Sequence, residues 1–74
     1  MDYQKIITFD PNIRSGKACI RGMRVTVSDV IDLLATGPDW TVVTQELPYV
    51  TFDDIKACLA YVADRERKIN SRVA

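Results

Sequence analysis

The sequence predicts a mainly α-helical fold in which three helices follow a short N-terminal β arm. From Val27 onward, apolar residues recur at spacings of three and four, which is the period of an amphipathic helix. The preceding segment is instead rich in β-branched residues and turn signals. A length of 74 residues allows one domain. We therefore expect a single domain, 1–74, made of a β arm (1–25), a three-helix core (26–66) and a basic tail (67–74).

The β arm is predicted from two short segments separated by turns. Residues 4–9 are β-branched and aromatic and favour a strand, which the turn signal of residues 10–12 closes. Ser15-Gly16 marks a second turn, and residues 17–25 favour a second short strand or an irregular segment. A two-stranded unit is marginally stable alone, so we expect the arm to pack on the helices or to pair with another chain.

The first helix is predicted over residues 27–36. Its apolar residues share one face: Val27, Val30, Ile31 and Leu34. Thr26 and Asp29 have the spacing of a capping box, which places a carboxylate in the positive first turn. We expect Gly37 to stop this helix in the left-handed conformation, and Pro38 prevents its continuation.

Two further helices complete the predicted core. Asp39 is expected to cap a short second helix that ends at Pro48, with apolar residues on one side at Trp40, Val43 and Leu47. Thr51 and Asp54 repeat the capping pattern and begin a third helix that extends to about Asn70. Two helices joined by a tight turn and followed by a third are typical of a trihelical helix-turn-helix-like (homeodomain-like) bundle.

Composition excludes most catalytic chemistry. The chain has no histidine, and Cys19 and Cys58 are too far apart for a usual zinc spacing, so neither a zinc site nor a thiol–imidazole pair is expected. Asp53 and Asp54 are adjacent, and on a helix they diverge by about 100° rather than converging as a catalytic pair. We therefore expect a protein that is not an enzyme and that has no cofactor and no metal. Cys58 is expected in the core.

The cytoplasm is the expected location. No apolar run approaches the roughly 20 residues needed to cross a bilayer, so no association with a membrane is expected. The N-terminal segment lacks the basic start and apolar stretch of a secretory signal. Two cysteines without a disulfide framework favour a reducing compartment.

Charge is balanced overall, with ten basic and ten acidic residues, but it is segregated along the chain. The basic residues of segment 11–28 are candidates for binding DNA phosphates, and they are Arg14, Lys17, Arg21 and Arg24. The helix-turn-helix itself is a weaker candidate, because its third helix would present Asp53 and Asp54 to DNA. A second interpretation stays open for Arg21 and Arg24, in which these two arginines pair within the fold with Asp29, Asp32, Asp53 or Asp54.

Several segments resemble a small bacterial family known as domain of unknown function 433. Residues 16–25 (GKACIRGMRV) resemble its GKPxIRGTRI signature, and residues 7–11 (ITFDP) resemble its I-x-x-D-P opening. Residues 34–37 resemble its LLAxG segment, and residues 47–51 and 54–61 resemble its YPxLTxEDIxAALAY segment. Ala18 and Met23 depart from the usual Pro and Thr, and the second helix lacks the usual PEEI pattern. The resemblance spans roughly residues 5–64.

The resemblance implies an antitoxin of the VapB type, which neutralises a PIN-like ribonuclease toxin and also binds its own operator DNA, as a homodimer or within a hetero-oligomer. Such a ribonuclease holds its metal with carboxylates, so a basic tail fits its cleft. The candidate partner-binding residues are Arg65, Lys68, Ile69 and Arg72. A solvated helix end is the alternative for this tail. For the whole chain, the alternatives are a stand-alone helix-turn-helix DNA-binding regulator and an oligomeric adaptor that does not bind DNA.

Overall fold

The computed structural model describes the backbone of residues 2–73 and the side chains of residues 2–68. The fold is mainly helical with a small two-stranded antiparallel sheet, as predicted. Its strands are β1 (Ile7–Thr8) and β2 (Cys19–Ile20), and its helices are α1 (Val27–Thr36), α2 (Thr41–Glu46) and α3 (Phe52–Val73). Two 3-10 turns, Tyr3–Lys5 and Arg14–Gly16, interrupt the arm. The helix-turn-helix assignment stays a prediction.

The β arm packs on the helices. Ile7 pairs with Ile20 and Thr8 with Cys19, and three of these four side chains are buried. The first strand is shorter than predicted over residues 4–9, because Tyr3–Lys5 form a 3-10 turn. The carboxylate of Asp2 accepts a hydrogen bond from the backbone N–H of Gln4 at 3.1 Å, which caps that turn.

Helix α1 has the predicted bounds and the predicted capping box. The Thr26 hydroxyl accepts from the N–H of Asp29, and the Asp29 carboxylate accepts from the N–H of Thr26, both at 3.0 Å. The predicted left-handed stop at Gly37 is wrong, since its φ of −93° and ψ of 169° are extended. Pro38 explains the difference, because a residue before proline is driven to extended conformations.

Helices α2 and α3 follow the predicted order. The Asp39 carboxylate accepts from the N–H of Thr41 at 2.9 Å, and Val43 is fully buried. Trp40 precedes α2 and stays half exposed. Helix α3 begins with the second predicted capping box and runs without a break across the predicted boundary at residue 67. No helix of the part of the chain that the structure describes could span a membrane.

One apolar core joins the arm to all three helices. Its buried members are Ile7, Ile20, Val25, Val27, Val30, Val43, Val50, Ile55, Ala57 and Cys58. Cys58 lies in this core, as predicted, and burial followed by the charge of Asp54 raises the pKa of its thiol to about 11. The thiol is therefore protonated at neutral pH. Helix α3 continues beyond Cys58, the last buried residue of this core, and the side chains of Arg65, Glu66 and Lys68 on its later turns are exposed.

Candidate functional site

A cleft opens between the N-terminal segment and the middle of α3. Its volume is about 620 Å³, and it is lined by Tyr3, Gln4, Ile7, Phe9, Tyr61, Asp64, Arg65 and Lys68. Two of the four predicted partner-binding residues, Arg65 and Lys68, lie on its wall. The side chains of the other two, Ile69 and Arg72, lie outside the described residues. We call this feature the aromatic–cationic cleft.

Three aromatic rings form one wall of the aromatic–cationic cleft. The rings of Tyr3 and Tyr61 meet edge to face, with centroids 5.6 Å apart and planes at 84°. The Phe9 ring also packs against Tyr61, with centroids 6.0 Å apart, yet the Phe9 residue is 62% exposed. Edge-to-face contacts stabilise an aromatic pair beyond the area that it buries. The exposed Phe9 ring therefore packs on a Tyr61 ring whose position is fixed by its contact with Tyr3.

The carboxylate of Asp64 connects the N-terminal segment to α3 at this cleft. The Tyr3 hydroxyl donates to Asp64 Oδ2, and Lys68 Nζ lies 3.2 Å from the same oxygen. The hydrogen bond from Tyr3, followed by that from Lys68, lowers the pKa of Asp64 below its ordinary value. The same bond to Asp64 raises the pKa of Tyr3. Asp64 thus fixes the N-terminal segment against α3 and orients Lys68.

The cations of the cleft lie one and two turns beyond Tyr61 on the same face of α3. The Arg65 guanidinium lies 5.7 Å from the centroid of the Tyr61 ring and donates a 3.1 Å hydrogen bond to its hydroxyl. The Lys68 side chain is 72% exposed although it pairs with Asp64. Both cations are oriented by neighbours and still reach solvent, which suits them to an acidic partner.

Two of the three arginines of the arm, Arg14 and Arg21, have carboxylate partners within the fold. Arg14 Nη1 donates to Asp29 Oδ2 at 3.0 Å, and Arg21 Nη2 donates to Asp54 Oδ2 at 2.8 Å. Each acceptor is the capping-box carboxylate of a helix. Burial acts to raise the pKa of Asp29, but the hydrogen bonds from Thr26 and the charge of Arg14 outweigh it and lower this pKa. The arm is therefore fastened to the start of α1 and of α3.

Of the four predicted DNA-binding residues, Lys17 and Arg24 are the two whose charge is not neutralised by a carboxylate of the described side chains. The side chains of Lys17 and Arg24 are exposed, and neither forms an ion pair with the side chains that the structure describes. Arg14 and Arg21 are already paired with carboxylates, which reduces the positive charge that they present to a DNA phosphate. DNA binding by this set stays a prediction.

Both paired arginines have left-handed backbone conformations. The φ angles are +50° at Arg14 and +48° at Arg21, and each residue is followed by another with positive φ. Gly22 has φ of +72° in a turn closed by a 2.8 Å hydrogen bond from Met23 N–H to the Ile20 carbonyl. Left-handed arginine is unfavourable by about 1–2 kcal/mol, so tertiary contacts must hold it there.

The aromatic wall was missed at the level of sequence. Neither Tyr3 nor Phe9 carried a local signal that could have placed it beside Tyr61. The spacing of Tyr61, Arg65 and Lys68, which puts the three on one face of a helix, was the available clue. Within the described side chains, no three Cys, Asp or Glu groups are arranged to hold a metal ion.

Comparison with known proteins gives the family and the fold. The model of the family described as "Protein of unknown function (DUF433)" matches residues 7–62. The crystal structure at 2.00 Å of a DUF433 member protein from Anabaena variabilis ATCC 29413 is similar, with a TM-score of 0.77 and 23% sequence identity. The match covers 95% of this chain and 69% of that one, and at this identity it shows the fold alone. No curated protein matches the chain. Arg65 and Lys68 lie beyond the range matched by the family.

Proposed function

Because the chain belongs to the DUF433 family of proteins of unknown function, its role has to be inferred from its surfaces, and we propose that it is an antitoxin. In this proposal it is not an enzyme, and it binds and inhibits a PIN-like ribonuclease toxin. The observation that carries the proposal is the aromatic–cationic cleft, in which Arg65 and Lys68 stand beside the exposed ring of Phe9.

The chemistry of this cleft suits the acidic active site of a metal-dependent ribonuclease. Carboxylates that hold a metal ion attract cations, and Arg65 and Lys68 stand where α3 has left the core. Exposed aromatic rings are frequent anchors of protein interfaces, and Phe9 provides one. The basic end of α3 would occupy the place of the RNA phosphates, so inhibition would be both steric and electrostatic.

Operator DNA is proposed as a second ligand, with Lys17 and Arg24 as the main phosphate contacts. This activity is placed second because Arg14 and Arg21 are paired with carboxylates. The start of α3, which a helix-turn-helix would direct toward DNA, also presents the exposed carboxylate of Asp53. A stand-alone DNA-binding regulator is the alternative, and its affinity for DNA would fall steeply with salt.

Because the family resemblance implies an antitoxin encoded beside its toxin, the test is co-expression with the product of the adjacent gene, followed by co-purification and a ribonuclease assay. We expect a complex and a loss of nuclease activity. Arg65→Glu and Lys68→Glu should weaken the complex and restore nuclease activity, whereas Lys17→Glu, a charge reversal on the arm, should leave inhibition intact. Circular dichroism would show that each variant is folded.

Two outcomes would overturn this proposal. If no complex forms and the wild-type chain binds DNA with steep salt dependence, then the DNA-binding regulator is correct. If the chain binds neither the adjacent gene product nor DNA but forms a stable oligomer, then the adaptor interpretation is correct. Loss of DNA affinity in Lys17→Glu without loss of inhibition would assign the two activities to separate surfaces.

A further inference from the structure

Helix α3 carries a regular stripe of exposed residues on the side that faces away from the cleft. The stripe consists of Phe52, Lys56, Leu59, Ala63 and Glu66, at alternating spacings of four and three. All five are exposed, and the exposed fractions of Phe52 and Leu59 are 50% and 48%. An average spacing of 3.5 residues is the period with which two helices pack along each other. The stripe therefore has the form of a helix-pairing surface.

The stripe is complementary to itself in the antiparallel direction. In an antiparallel pair of α3 helices centred at the level of residue 61, Lys56 lies opposite Glu66 of the second copy. Leu59 then lies opposite Ala63 of the second copy, so that a large side chain meets a small one. Twofold symmetry repeats both contacts. A parallel pair would instead place Lys56 opposite Lys56 and Glu66 opposite Glu66, so the charges select the antiparallel arrangement.

Aromatic residues extend the stripe at the start of α3. Trp40, which is half exposed, packs against Phe52 with ring centroids 4.9 Å apart. Lys56 Nζ lies 5.7 Å from the centroid of the Phe52 ring. A chain of 74 residues has a small core, so burying such a surface would add substantially to its stability. The aromatic end would widen the contact between two copies.

From this self-complementarity we propose that two copies of the chain form a homodimer through antiparallel packing of their α3 stripes. The stripe and the aromatic–cationic cleft lie on opposite sides of α3, since Leu59 and Lys68 are nine positions, or two and a half turns, apart. The dimer leaves the cleft open. It is therefore independent of the proposed ribonuclease partner.

The proposal is tested by exchanging the charges of Lys56 and Glu66 and measuring the dimer dissociation constant of the purified 74-residue chain by sedimentation equilibrium. We expect a dimer for the wild type. Lys56→Glu and Glu66→Lys should each raise the dimer dissociation constant by about tenfold, because symmetry replaces two attractions with two repulsions. The double variant Lys56→Glu/Glu66→Lys should restore dimerisation, and an equimolar mixture of the two single variants should form a heterodimer. Lys5→Glu, a matched reversal on the N-terminal segment, should have no effect.

The double variant separates pairing between copies from effects within one copy. Lys56→Glu also removes the contact of Lys56 with the Phe52 ring, and the double variant lacks that contact as well. Recovery in the double variant can therefore come only from the restored pair between copies. A monomeric wild type at its highest soluble concentration would overturn the proposal, and so would a dimer that the single variants do not weaken or that the double variant does not restore.

Discussion

Two arginines fasten the arm to the helices, and their surroundings differ in one respect. Each guanidinium binds the capping carboxylate of a helix and one backbone carbonyl, that of Arg24 for Arg14 and that of Tyr49 for Arg21. Each also has positive φ. Burial separates them, because the Asp54 side chain is 3% exposed and the Asp29 side chain is 40% exposed. A buried carboxylate depends far more on its cation than an exposed one does.

We predict that Arg21→Ala lowers the free energy of unfolding by about 2 kcal/mol, because it leaves the buried carboxylate of Asp54 without its cation. Arg14→Ala should cost about 1 kcal/mol or less. Alanine is as unfavourable as arginine in a left-handed conformation, so the backbone contribution cancels in this comparison. Urea denaturation measures both values, with Lys17→Ala as the control. Equal losses of unfolding free energy in the two variants would contradict the conclusion that burial of Asp54 makes its ion pair the more stabilising one.

The pKa of Asp29 gives a prediction about pH. This pKa is lowered in the fold, so the ionised carboxylate stabilises the protein above the ordinary value of 3.8. That stabilisation is lost as the pH falls through the folded-state pKa. Asp29→Asn, which retains one amide oxygen to accept the hydrogen bond from Thr26, should be less stable than the wild type at pH 7. The difference should shrink at pH 3. An equal deficit at both values in urea titrations would mean that the charge has no role.

At the scale of elements, the sequence was most informative where a local signal marks each end. Helix α1 has its capping box at Thr26 and its stop before Pro38, and its predicted and observed bounds agree. The strands are only two residues long and depend on contacts with the helices, so the strand predicted over 4–9 was too long. Gly37 was expected to stop α1 through a left-handed conformation. Its backbone is extended, and its small size is what the fold requires, because Val42 of the neighbouring helix leaves no room for a side chain. Such a contact with another helix cannot be predicted from the local sequence.

The junction of α1 and α2 yields a prediction about Gly37. A Cβ atom on this residue would lie 2.5 Å from Val42 Cγ1 and 3.1 Å from the Leu33 carbonyl oxygen. Gly37→Ala should therefore destabilise the fold by about 1–3 kcal/mol, although its extended φ is open to any residue. In a Val42→Ala background the same substitution should cost far less. A double-mutant cycle by thermal or urea unfolding measures this coupling, and additive effects would contradict the steric explanation.

At the scale of the molecule, α3 is the element on which the fold and both proposed surfaces depend. Its first half supplies core residues such as Ile55 and Cys58, while its later turns carry Arg65 and Lys68 into the cleft. The sequence places Arg65 and Lys68 on one face of α3, because they are only three positions apart on one helix. The aromatic wall could not be predicted from sequence, since Tyr3 reaches Tyr61 only through the folding of the whole chain. Local patterns hold no information on such a contact.

Truncation after Asp64 tests whether the first half of α3 stabilises the fold while its later turns bind the partner. The truncated chain keeps every core residue that the structure describes and the hydrogen bond from Tyr3 to Asp64, so we expect it to unfold cooperatively. It lacks Arg65 and Lys68 and should no longer inhibit the co-expressed nuclease. Truncation also removes Glu66 from the stripe, and full-length Leu59→Glu controls for this because it should be monomeric yet still inhibitory. If the truncated chain inhibits as well as the full chain, the partner binds elsewhere on the fold.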